Sequence, residues 1–124
     1  MEETKETLNR NIELSINGNT YNVCFPTVNQ FIAIEAKKSA LSHNQYGAMI
    51  LNRTKVASKA LDFIDMLSYF SVLIPDLMKD SKVPLTELDI MDGKELLKVY
   101  MSDFKVWMDK WMVIINKDET SEEV

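Results

Sequence analysis

The chain has 124 residues, 46% of them hydrophobic and 27% charged, with a net charge of −5. That is one ordinary domain, apolar enough to offset the entropy of ordering and so not an intrinsically disordered chain. Three glycines and three prolines are too few for the many tight turns of an all-β sandwich, and they suit a helical domain with few, long elements.

Charge and cysteine usage narrow the function classes. Residues 1–10 carry −1 and residues 117–124 carry −3, which leaves −1 on the block between them. A nucleic-acid module needs a basic footprint to displace counterions from phosphate, and none is visible. The densest basic positions, Lys37, Lys38, Arg53, Lys55 and Lys59, read as a solvated helix edge. Cys24 is the only cysteine, so no disulfide forms within the chain, and its place between Val23 and Phe25 reads as a small apolar strand residue. A Cys24–His43 catalytic dyad is the remote alternative. No apolar run approaches the roughly 20 residues of a membrane helix. The start, Met-Glu-Glu-Thr-Lys-Glu, lacks the basic and apolar regions of a secretory signal, so the expected location is the cytoplasm.

In chain order, residues 1–10 are polar and unpatterned and read as a flexible arm. Ile12, Leu14 and Ile16, then Tyr21, Val23 and Phe25, alternate with mainly polar residues around Asn17-Gly18. Two alternating runs about Asn-Gly predict a β-hairpin. Pro26 ends the second strand. Thr27 and Gln30 form a capping box for a helix over 28–41 that should bury Val28, Phe31, Ile32, Ile34 and Leu41. Residues 42–47 read as a loop. Residues 48–53, with Met49, Ile50 and Leu51, fit either a short helix or an apolar flap.

Val56, Ala60, Phe63, Leu67, Phe70 and Ile74 step by three and four and predict one face of a helix over about 54–74. Pro75 ends or kinks it. Residues 75–91 should form short turns anchored by Leu77, Val83, Leu85, Leu88 and Ile90. Asp92 as N-cap, with Glu95, starts a last helix over 93–116. Its inner face is Leu97, Met101, Phe104, Met108, Trp111 and Ile115. A second apolar strip runs through Leu96, Tyr100, Trp107 and Ile114, more than one core-facing stripe requires. The end, 117–124, reads as a disordered acidic tail. The expected fold is α+β and mainly helical: an N-terminal hairpin packed on three main helices within one domain, 11–116.

Chemical motifs are scarce. Asp89-Ile90-Met91-Asp92-Gly93 fails as a calcium loop, because Leu88, Ile90 and Val99 would fall on ligand positions. No phosphate loop or zinc set exists. Asp62 and Asp65 share a helix and, with Glu35, are the only metal-dependent alternative. The expectation is therefore no catalytic residue, no cofactor and no metal. Of the eight methionines, Met66, Met78, Met101, Met108 and Met112 lie in or beside helical runs and read mainly as core filler, with an adaptable binding surface as the sharper reading. Trp107 is balanced between core and interface, since surface tryptophan often anchors a partner.

The hairpin, the run Phe25-Pro26-Thr27-Val28, the segment Ala60-Leu61-Asp62-Phe63-Ile64-Asp65-Met66 and the stretch Phe70-Ser71-Val72-Leu73-Ile74-Pro75-Asp76-Leu77 together resemble small proteins encoded among the structural genes of tailed bacteriophages. The nearest class is the tail assembly chaperones, which are short, acidic and mainly helical with an N-terminal β element. The resemblance implies a non-enzymatic assembly or virion protein that binds other tail or head–tail components, such as a tape measure protein, in the host cytoplasm or the particle. Homo-oligomers are compatible with it. The expected contact residues are Trp107, Tyr100 and Ile114 on the last helix and Met49, Ile50 and Leu51 on the flap. The competing expectation is a small cytoplasmic regulator or inhibitor of a host protein.

Overall fold

The structure, a computed structural model, describes residues 9–123 and the side chains of 9–117. Strands β1 (Asn11–Ile16) and β2 (Asn19–Cys24) pair antiparallel, with Leu14 opposite Tyr21 and Ile12 opposite Val23. Asn17 and Gly18 both have positive φ, 55° and 83°, so the connection is the two-residue turn whose twist matches the flanking strands. Leu14, Ile16, Tyr21 and Val23 form the buried face. Cys24 is the last residue of β2 and is exposed, because it shares the outward parity of Asn22.

Helix α1 (Val28–Leu41) has the expected bounds. The Gln30 amide donates to Thr27 Oγ1 at 3.1 Å and the Thr27 amide donates to Gln30 Oε1 at 2.9 Å, completing the capping box. The buried face differs from expectation. Only Ile34 is fully buried and Leu41 half-buried, while Val28, Phe31 and Ile32 are exposed. α1 packs chiefly against one neighbour, the later helix α3 (Lys55–Leu73), and one neighbour covers only a narrow stripe. The left-handed residues His43 and Asn44 turn the chain into α2 (Tyr46–Leu51), so the ambiguous segment is a short helix.

Thr54 caps α3 by accepting from the Ala57 amide at 3.0 Å. α3 is central, with Leu61, Met66, Ser68, Tyr69, Phe70 and Leu73 buried. Of the expected stripe, Phe70 and Ile74 are fully buried, Ala60, Phe63 and Leu67 are half-buried, and Val56 is 80% exposed. The first turn precedes Leu61, where burial begins, and so lies outside the core. Ser68 satisfies its buried hydroxyl by donating to the Ile64 carbonyl at 2.7 Å.

Pro75 opens helix α4 (Pro75–Asp80), where its missing amide costs no hydrogen bond. Leu77 and Leu85, the latter in a single 3₁₀ turn, are the buried anchors of this region. Leu88 is half-buried, and Val83 and Ile90 are exposed rather than anchoring.

Helix α5 (Ile90–Val99) starts earlier than expected. Its cap is Asp89, which accepts from the Asp92 amide at 2.8 Å. It runs into a π turn (Tyr100–Phe104) and then α6 (Lys105–Glu123), which continues through most of the segment read as a tail. The inward seam takes Leu97, Phe104 and Met108 from one expected strip and Leu96, Tyr100 and Trp107 from the other. Met101 and Ile115 face outward instead. The π turn places one extra residue in the helix, which a uniform helical period does not anticipate. Phe104 sits at the centre of the aromatic core, 5.7 Å from Phe70, 5.2 Å from Tyr69 and 5.5 Å from Tyr100, ring centre to ring centre. The hairpin closes this core by packing on α5 and the π turn.

Residues 1–8 of the expected arm and Val124 lie outside the described residues. Asn9 and Arg10 are held: the Phe25 amide donates to the Arg10 carbonyl at 2.7 Å, and the Arg10 guanidinium lies 5.5 Å from the Trp111 ring centre.

Candidate protein-binding surface

The residues expected to touch a partner divide in two. Trp107 and Tyr100 belong to the core, at 8% and 4% exposure, and are not accessible anchors in the folded chain. Trp107 contacts Phe25 edge-on at 5.9 Å and Phe104 at 5.7 Å. Burial pushes the Tyr100 phenol well above its ordinary pKa. Ile114 and Met49 are half-buried, and Ile50 and Leu51 are exposed.

The α1 surface adds what the sequence reading placed inside. Val28, Phe31 and Ile32 stand at i, i+3 and i+4, so they share one face of a helix whose N-terminus is locked by its capping box. Val28 is 78% and Ile32 61% exposed. The sequence shows the apolar residues of α1, but that one neighbouring helix covers it is visible only in the structure.

The expected solvated edge is interrupted at Lys38. Its Nζ lies 2.9 Å from Glu35 Oε2 and 4.0 Å from Asp65 Oδ1, and about 5 Å from the rings of Tyr46 (5.5 Å) and Tyr69 (5.2 Å). The Tyr46 hydroxyl donates to Asp65 Oδ1 at 2.6 Å. Burial raises the Asp65 pKa, although the Tyr46 hydrogen bond and the Lys38 charge pull it down. Burial works downward on Lys38, but the Glu35 hydrogen bond and the surrounding negative charge raise it overall. Burial and the hydrogen bond to Asp65 raise Tyr46 strongly. These groups satisfy one another and tie α1, α2 and α3 together.

The metal alternative finds no support in placement. Among the described residues, no group of three or more His, Cys, Asp and Glu side chains could hold a metal ion. Cys24 and His43 sit exposed on the hairpin and on the α1–α2 turn, with no hydrogen bond between them. Among the described residues, no helix is long and apolar enough to cross a membrane.

A cleft of about 590 Å³ opens between the hairpin turn, α4, the 3₁₀ turn and α5. Its floor is apolar, with Leu77, Leu85 and Leu96 at the base. Its rim carries Asp80, Asp92 and Glu95 against one lysine, Lys82. Tyr21 donates to Asp80 Oδ2 at 2.7 Å, which raises the phenol's pKa. Comparison of the chain with protein-family models, with curated proteins and with solved structures found no match.

Proposed function

We propose that this chain is a non-enzymatic assembly or virion structural protein of a tailed bacteriophage, which binds other tail or head–tail proteins through apolar helix surface. The observation that carries the binding role is the open face Val28, Phe31 and Ile32 on α1. Taking such a side chain fully out of water contributes about 1.5–3 kcal/mol, so three on one rigid face supply a useful anchor. A capped helix presenting i, i+3, i+4 apolar residues suits a groove or a facing helix on a partner. Ile50 and Leu51 are further accessible contacts, with Ile114 and Met49 at their margin. The phage setting, and with it the host cytoplasm or the particle as location, rests on the sequence resemblance.

The test is co-expression with the products of neighbouring genes, followed by co-purification. The wild type should retain a tail or head–tail protein. Val28→Asp with Ile32→Asp should lose it while the circular dichroism melt stays unchanged. A wild type that retains none of them, or a double variant that still does, overturns the reading. Selective capture of a host enzyme instead would favour a regulator acting through the same face.

A further inference from the structure

We propose that the acidic cleft is a docking site for a second copy of this chain, which inserts the basic, apolar α2–α3 junction of that copy. The proposal uses none of Val28, Phe31 or Ile32, and of the contacts named above it shares only Leu51, so the α1 face and the cleft are tested separately.

The two surfaces match in chemistry. The cleft has an apolar floor, extended by the half-buried Leu88 and Val99, beneath three carboxylates and one lysine. Asp92 and Glu95 lie three apart on α5 and share a face. Glu95 reaches Lys98 at 3.4 Å across exposed surface, Asp80 accepts from Tyr21, and Asp92 makes no ion pair among the described residues. The junction is the converse. Residues 51–56 are all exposed, with Leu51 at 85% and Val56 at 80%. Arg53, Lys55 and Lys59 lie within a few residues of these two in the chain and are exposed, and none of the three makes an ion pair among the described residues. The cleft volume accommodates Leu51 and Val56, and the three cations face the rim carboxylates.

Position sets the kind of association. The junction is at the start of α3, and α4, which carries Asp80, follows its end. A 19-residue helix spans about 27 Å, so α4 begins a helix length from the junction, while Asp92, beside the Gly93 that packs on Phe63, stands nearer the middle of α3. A contact between unlike, separate patches is heterologous where no two-fold axis relates them: copies add head to tail, into a ring if the rotation closes and a filament if it does not.

Sedimentation velocity over a concentration series tests this with the full chain. The wild type should associate beyond a dimer at low salt. Raising the salt or introducing Asp92→Lys with Glu95→Lys should weaken association by about tenfold or more, as expected for several partly exposed charge pairs. Arg53→Glu with Lys55→Glu should do the same from the other side. The decisive sample mixes the Asp92→Asn, Glu95→Gln variant, whose cleft gains no cations for a reversed junction to meet, with the Arg53→Glu, Lys55→Glu variant. One keeps an intact junction and the other an intact cleft, so together they should form a 1:1 heterodimer that grows no further. The neutral cleft variant also replaces the lysine one should that one fail to fold. A wild type that stays monomeric to millimolar concentration overturns the proposal, including one whose cleft takes only basic peptides from other proteins. So do variants that associate like the wild type, or a mixture that stays monomeric.

Discussion

Trp107 Nε1 donates to the main-chain carbonyl of Asn9 at 2.7 Å, across 98 residues of sequence. Trp111 Nε1 donates to the same oxygen at 3.1 Å, and Phe25 packs against both indoles. One carbonyl at the start of the described chain thus joins the hairpin to the last helix. Trp107→Ala removes a buried aromatic and leaves a cavity, so it should destabilise the fold by about 3–5 kcal/mol. Trp107→Phe keeps most of the packing and loses the donor, and should cost about 1 kcal/mol in hydrogen bonding plus the lost ring area. Urea unfolding followed by circular dichroism measures both. A Trp107→Ala protein of wild-type stability would return this residue to the surface.

Asp65 gives stability a pH dependence with a definite sign. Its pKa in the folded chain is raised above the ordinary 3.8, chiefly by burial. Between the ordinary and the raised value the folded state holds more protons than the unfolded one, so stability falls as pH rises through that window. Asp65→Asn keeps an oxygen for the Tyr46 hydroxyl and should flatten this part of the profile. Tyr46→Phe withdraws the donor that lowers the Asp65 pKa. It should therefore raise that pKa further, and it should cost about 1 kcal/mol at neutral pH. A carboxyl-carbon NMR titration of Asp65, with urea unfolding across pH, reads both effects. Lys38, whose pKa is also raised on balance, adds stability below its ordinary 10.5 that is lost as pH climbs above it.

Gly18 at φ 83° follows Asn17 at φ 55° in the hairpin turn. A Cβ at Gly18 would meet nothing within 4 Å, so the constraint there is conformational and not steric crowding by neighbours. Gly18→Ala should cost about 1–2 kcal/mol, and Gly18→Val more, because the left-handed region is unfavourable for residues with a Cβ and worst for branched ones. Gly18→Asn should cost least, since asparagine tolerates that region. The order Gly, Asn, Ala, Val in urea midpoint is the check.

Local chemistry made much of the fold legible. Asn17-Gly18 names its own turn, and Thr27 with Gln30 names the start of α1, because each rests on residues within a few positions. What stayed hidden depends on how many neighbours an element has. Val28 and Ile32 look like core to any rule that reads apolar residues on a helix as inward, and only the position of α1 at the edge leaves them open. Trp107 shows the reverse. Its strip looked surplus, yet the hairpin and Asn9 supply the second wall that buries it. The π turn left no mark in the apolar spacing, so the two strips of the last helix could not be weighted correctly. The acidic cleft escaped notice because Asp80 on α4 meets Asp92 and Glu95 on α5 only in the folded chain.

Gly93 lets α5 pack closely against Phe63 of α3. It is buried, and a Cβ there would stand 3.1 Å from Phe63 Cε1, with Cζ at 3.8 Å and Cδ1 at 3.9 Å. Alanine gains about 1 kcal/mol over glycine from helix propensity alone. At Gly93 that gain is opposed by the few tenths of an ångström through which the half-buried Phe63 ring must shift. Gly93→Ala should therefore leave stability within about 1 kcal/mol of the wild type. Gly93→Val drives branched methyls into the ring and should cost about 1–3 kcal/mol through overpacking. Phe63→Leu should relieve part of that cost, so a double-mutant cycle between the two positions should show favourable coupling. Additive losses in that cycle would mean that the Phe63 ring is not what Gly93 accommodates.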